Sequence, residues 1–231
     1  MAVMSQPTPT PLHRHPRPHR ELWRRYRHYA AQREFRLSIV MASALLIIGW
    51  SVNYFAIQFA TERASNSVTD IVLSNIPVFE VDALFVYGTF VFALLSFTTV
   101  LLHPKRIPFA FKAVALFWII RSIFASLTHI APFEASYMSD FGPTINSMFF
   151  GGDLFFSAHT GMPFLGALAF WKEKGIRNLY LLGSAFFATI VLLGHVHYSI
   201  DVLSAFFITY GIFHVAEWLF PKDRAMFLAD E

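Results

Sequence analysis

His197 and Asp201 stand four residues apart, a spacing that on a helix puts both on one face, one turn from each other. A carboxylate there can accept the N–H of one imidazole nitrogen, which orients the ring and leaves the other nitrogen as nucleophile or base. His159 comes from a separate segment, and a second imidazole is what a reaction needs when an alkoxide must leave with a proton. Two histidines and one carboxylate supply nucleophile, orienter and acid, a set suited to phosphoryl transfer. Arg121, alone in an apolar stretch, could add a planar fork for the phosphate. Its plainer role is a structural salt bridge, with Asp201 or Asp153 as partner. Asp153, His195 and Tyr198 are supporting candidates close to the histidines in sequence.

Each of these residues also has a plainer explanation. HYSID is a short match by itself, but an unpaired aspartate in an apolar span costs several kcal/mol, so Asp201 beside His197 points to function. His159 could simply be a buried polar residue near a helix start, with Ser157 and Thr160 as the start signal. His129 and His214 fit packing roles. A zinc site from His159, His195 and His197 is disfavoured, because residues two apart do not share a helical face. No metal and no cofactor is expected.

These residues need a scaffold, and the composition says which kind. With 55% hydrophobic residues, 14% charged residues and a mean hydropathy of +0.49, the chain reads as a multi-pass membrane protein. Cysteine is absent, so neither disulfides nor thiolate metal sites enter. The first thirty residues hold no apolar run, so the first hydrophobic stretch is expected to remain as an anchor. Six apolar segments follow, each near the roughly 20 residues that cross a bilayer. They lie at about Leu37 to Ala60, Ala83 to Leu102, Ala113 to Ile130, Leu154 to Trp171, Leu179 to His195 and Ser199 to Phe220. The fourth is too short from Gly161 onward, so its helix is expected to begin upstream. In lipid these segments must be helices, since each has to satisfy its own backbone hydrogen bonds. Three regions result: residues 1–36 as a disordered basic segment followed by a juxtamembrane helix, 37–220 as a six-helix transmembrane catalytic domain, and 221–231 as a cytoplasmic tail.

Orientation follows from charge. Of the 18 Lys and Arg residues, all but Arg63 and Arg121 fall on one side of a six-span arrangement. By the positive-inside rule that side, with both termini, is cytoplasmic. The opposite side carries Glu62, Asp70, Glu80, Asp82, Glu134, Asp140 and Asp153, and His159, His197 and Asp201 fall at that end. The position of the basic residues beside membrane spans explains them by topology, so no nucleic-acid partner is expected. Trp23, Tyr26 and Tyr29 among arginines suit a helix at an anionic headgroup surface.

GGDLFFSAHT together with LGHVHYSIDVLSAFFIT resembles the third and fourth signature motifs of the sphingomyelin synthase family, membrane relatives of the type 2 lipid phosphatases. The likeness covers about seventy residues closely. Upstream, Arg121 with THIAP after it resembles the second motif, and LSNIPVFEVD bears a fainter likeness to the first. Gly151 stands where the family usually has Cys, and Ala158 where it has Gly. The basic signature of soluble-headgroup lipid phosphatases is missing, with Val191 at the position six before His197.

The resemblance implies an all-α, six-span bundle of the type 2 lipid phosphatase kind with cytoplasmic termini and a site on the non-cytoplasmic face. It implies His197 as nucleophile, Asp201 as its partner and His159 as acid and base. The implied reaction moves phosphocholine or phosphoethanolamine from a glycerophospholipid donor to a ceramide-like lipid acceptor, releasing diacylglycerol through a phosphohistidine. Hydrolysis of the lipid by a phosphatase or phospholipase C route is the alternative. Lipid transport or binding without chemistry is a second. Head group, acceptor and oligomeric state are left open by the sequence.

Overall fold

The computed structural model describes residues 18–134 and 154–229. Every long element among them is helical: α1 (Pro18–Ala31), α2 (Arg33–Glu62), α3 (Asp82–Leu101), α4 (Ile107–Leu127), α5 (Ala158–Ala169), α6 (Lys174–Leu193), α7 (Ser199–Leu219) and α8 (Pro221–Leu228). Five of these, α2, α3, α4, α6 and α7, are long and apolar enough to cross a membrane. They turn large apolar side chains outward, among them Leu84, Phe90 and Leu94 of α3 and Leu203, Phe207 and Trp218 of α7. Water would not tolerate apolar faces of that extent, but lipid does.

The fourth predicted segment behaves differently. Its helix does begin upstream of Gly161, but at Ala158 and not at Leu154, and it runs only 12 residues. Leu154 to Ser157 approach it without helical structure. The Ser157 side chain accepts the Thr160 N–H and ends the helix there, the start signal that Ser157 and Thr160 carried in the sequence. At about 18 Å, α5 is too short to span by itself. It can be short because neighbouring helices bury it on most sides, including Thr160, Gly161, Leu165 and Ala167.

The chain alternates between two ends. At one, basic residues gather: Arg106 bonds both oxygens of Glu173, and Lys112 reaches Asp223 of α8 and Ser38 of α2. At the other, the connections 63–81, 128–134 and 194–198 meet, and this is the histidine end. Ser65 bonds the His129 carbonyl through both its N–H and its hydroxyl, and the Phe79 N–H reaches the Leu193 carbonyl. Residues beyond Phe220 form α8, anchored by buried Phe227 and by Arg224 on the Ala169 carbonyl. An aromatic core of Phe109, Phe117, Phe156 and Phe213 fills the space between α4, α5 and α7.

Helices α2 and α4 pack along most of their length, and Gly49 sets their closest approach. A β-carbon there would lie 2.9 Å from the Ala115 carbonyl oxygen, which is backbone and cannot swing aside. Gly49→Val is therefore expected to destabilise the bundle by about 1–3 kcal/mol. Gly211→Ala, at a helical position with none of the described residues within 4 Å, should instead leave stability unchanged or raise it. Thermal unfolding of the two variants in detergent checks the pair, and equal melting temperatures would contradict the packing.

Candidate active site

Helix α6 ends with its chain reversing into α7. His195 takes φ 53°, and the His195 and Val196 N–H groups return to the Leu192 and Val191 carbonyls. That left-handed cap is usually glycine, so a histidine there carries backbone strain of the kind that gathers at functional sites. Two residues later come His197 and Tyr198, and α7 begins at Ser199. Asp201, in the first turn of α7, accepts the Tyr198 N–H at 3.0 Å through Oδ2, with His197 Nδ1 at 3.3 Å from the same oxygen. An ionised carboxylate can only accept, so Nδ1 carries the proton and Nε2 has the lone pair to give. The same carboxylate takes the N–H of the residue that precedes α7 and sits favourably in the helix dipole. Asp201 is fully buried and His197 nearly so.

His159 lies in the first turn of α5, two residues beyond Ser157, whose N–H donates to the Asp201 carbonyl at 3.1 Å. The preceding residue, Phe156, has φ 32°, and its carbonyl accepts Arg121 Nε at 3.2 Å. Arg121 also reaches Asn53 of α2 through NH1 at 3.4 Å. One peptide link, Phe156–Ser157, is thus held by α4 on one side and by α7 on the other. His159 is within electrostatic reach of both His197 and Arg121. Its ring is flanked by Phe85, with centroids 4.4 Å apart, and by Phe187 at 6.1 Å. The structure therefore brings His159, His197, Asp201 and Arg121 together from α4, α5, the α6–α7 turn and the first turn of α7.

The supporting candidates fare variously. Asp153 lies outside the described residues. His195 is buried with its ring edge-on to Phe133, and burial lowers its pKa against the opposing influence of the Ile76 backbone and the Asp70 charge. The Tyr198 hydroxyl donates to the Ala131 carbonyl and accepts the Val68 N–H, so it ties two connections to the turn that carries His197. Burial raises its pKa. His129 packs edge-on against Phe59, and His214 bonds Glu217 on an exposed face.

Two contributors were not singled out in the sequence. Asn53 could have been, since an amide in an apolar span needs a partner. Asp70 could not, because nothing local marks it. Its Oδ1 accepts the Val72 and Leu73 N–H groups at 2.8 and 3.1 Å, and its Oδ2 accepts the Ser199 N–H and hydroxyl at 2.7 and 2.8 Å. Asp70 thereby pins the first turn of α7 to the connection 63–81. Burial works against its ionisation, but the bonds from Ser199, Leu73 and Val72 outweigh it and hold the carboxyl below its ordinary pKa.

With the geometry in place, comparison with known proteins gives one result. Residues 151–218 match the family model described as PAP2 superfamily C-terminal. The match supports the type 2 phosphatidic acid phosphatase superfamily. Phosphatases and phosphotransferases make up that superfamily, which supports an enzyme of this kind, embedded in a membrane and working on lipid. The matched stretch takes in His159, His197 and Asp201 and leaves out Arg121 and Asp70; it covers less than a third of the 231 residues. No curated protein and no solved structure matches the chain.

The Asp70 geometry gives a pH dependence with a definite sign. Because its folded pKa is lowered, its bonds stabilise the protein above the ordinary carboxylate pKa of about 4, and that stability is lost as pH falls through the folded value. Asp70→Asn is expected to cost about 1.5–3 kcal/mol at pH 7. The difference from the parent should narrow only below pH of about 4. Melting curves of both proteins between neutral and acid pH check this, and a gap that stays constant on acidification would contradict it.

Proposed function

We propose that the chain is a membrane phosphotransferase that moves a phospho-head group, phosphocholine or phosphoethanolamine, from a glycerophospholipid to ceramide or a similar lipid alcohol. The observation that carries the reading is the meeting of His159 with the His197–Asp201 pair beside Arg121, held by the Ser157–Asp201 and Arg121–Phe156 hydrogen bonds. His197 Nε2 attacks the donor phosphorus while the bond from phosphorus to the diacylglycerol oxygen breaks and His159 gives that oxygen its proton. A phosphohistidine then holds the head group. His159, now neutral, takes the proton of the acceptor hydroxyl; the acceptor oxygen attacks phosphorus, and the phosphorus–nitrogen bond breaks to restore His197. Asp201 keeps Nδ1 protonated throughout and balances the positive ring of the phosphohistidine. Arg121 is placed to bear on the phosphate's negative charge. The likeness of the region around His159 and His197 to the sphingomyelin synthase motifs favours a lipid acceptor over water.

Purified protein in vesicles of phosphatidylcholine, phosphatidylethanolamine and ceramide tests the reading by lipid mass spectrometry. Head-grouped ceramide and diacylglycerol are expected in equal amounts. Free phosphocholine or phosphoethanolamine without ceramide product would establish a hydrolase instead. His197→Ala should form no covalent intermediate with any donor. His159→Ala should still accumulate phosphohistidine from a donor with a nitrophenol leaving group, whose pKa of about 7 makes a proton donor nearly dispensable. Equal loss of labelling in both variants would count against the division of roles.

The basic end is proposed to face the cytoplasm and the histidine end the opposite side, supported by the placement of all Lys and Arg residues except Arg63 and Arg121. A cysteine at position 174 in α6, replacing Lys174, should resist impermeant thiol reagents in intact cells. Labelling there without permeabilisation would reverse the orientation.

A further inference from the structure

Between α3 and α6 runs an apolar groove of about 440 Å³, open toward the lipid-facing side and lined by Ala83, Tyr87, Gly88 and Leu95 from α3 and by Phe186 and Phe187 from α6. From Ala83 to Leu95 it follows α3 for about 18 Å, from the histidine end toward the basic end. Its upper part adjoins the site. Phe187, which lines the groove, flanks the His159 ring, and Phe85, on the same turn of α3 as Leu84 at the groove edge, flanks it from the other direction. The groove also explains a glycine. Gly88 sits mid-helix, where glycine costs about 1 kcal/mol relative to alanine, yet among the described residues no backbone approaches it as Ala115 approaches Gly49. A β-carbon at Gly88 would instead point at the Phe186 and Phe187 rings, 3.3 and 3.6 Å away, and begin to fill the groove.

We propose that this groove holds one acyl chain of the phospholipid donor, aligned along α3 so that the diacylglycerol oxygen arrives at His159. The inference rests on the phosphotransfer reading above. A chain moving from bilayer to groove exchanges one hydrocarbon surface for another, so the groove adds little affinity. What it adds is alignment of the reacting ester, and that appears in the rate of the chemical step more than in KM.

Gly88→Leu fills the groove at a helical position that favours leucine over glycine, and its melting temperature in detergent, expected to match the parent's, checks that the fold is retained. The full chain, reconstituted in nanodiscs, is given dioleoyl or dihexanoyl versions of the same phosphatidylcholine and phosphatidylethanolamine, and diacylglycerol release is followed. The expected result is a loss of tenfold or more in kcat with the dioleoyl donors, KM changed less than threefold, and dihexanoyl turnover within twofold of the parent. Equal losses with both donors, or no loss with either, would overturn the proposal, as would a loss confined to transfer onto ceramide. A phosphatidylcholine with a diazirine in mid-chain gives a readout that needs no turnover. It should label Tyr87 and Phe186 more than Phe55 and Ile123 of the comparable groove between α2 and α4, and Gly88→Leu should abolish the excess. Excess labelling in a protein that releases no diacylglycerol would uphold the chain site and sink the phosphotransfer reading; labelling equal in the two grooves would sink the chain site.

Discussion

Backbone that leaves a helix among apolar surroundings must find partners for its polar groups, and in this bundle that constraint falls on the peptide link between Phe156 and Ser157. Its carbonyl is taken by Arg121 and its N–H partner is the Asp201 carbonyl. Those two bonds let α5 start deep in the bundle instead of spanning it. They also fix His159 against the turn bearing His197, because only Ala158 separates His159 from the bonded Ser157. Phe156 at φ 32° is the conformational cost of making both bonds at once. Arg121 therefore holds the backbone in the same place where its charge bears on His159, and a buried guanidinium with several donors can do both.

The histidine end is a stitched layer more than a set of loose loops. The connection 63–81 is tied to 128–134 through Ser65 and to the first turn of α7 through Asp70, while Tyr198 reaches both connections with one hydroxyl. Most of these bonds are made to backbone groups, so side-chain identity at many loop positions is free while the anchoring residues are not. This layer holds His197 from outside the membrane-spanning region as Asp201 holds it from within.

Much of this was legible in the sequence, and the limits of legibility are physical. Long apolar runs reveal helices because their length and composition are local properties, and the His197–Asp201 spacing reveals a shared face for the same reason. The fourth segment was misjudged because Leu154 to Ser157 is as apolar as a helix would be. What stops the helix there is the Ser157 cap and bonds to residues 35 and 44 positions away, which no window of sequence contains. Asp70 was missed for a like reason, since its decisive partner, Ser199, is 129 residues distant. Asn53 was the opposite case, a polar residue in an apolar run that announced a partner without naming it. Arg121 was read as a phosphate fork or half of a salt bridge, and a backbone carbonyl was not considered as its partner.

The contact between Lys112 and α8 bears on how the protein is made. Lys112 is almost fully buried, and its ammonium group meets Asp223 in the first turn of α8, with Ser38 bonding to both. During synthesis α2 and α4 are complete long before Asp223 emerges. Until it does, Lys112 cannot take its final place without burying a lone charge, at a cost of about 3–5 kcal/mol. The basic end of the helix pair must therefore stay open to water while the histidine-bearing helices are still being added. Closure of the basic end then waits for α8, and a chain in which α8 cannot dock leaves Lys112 without its carboxylate.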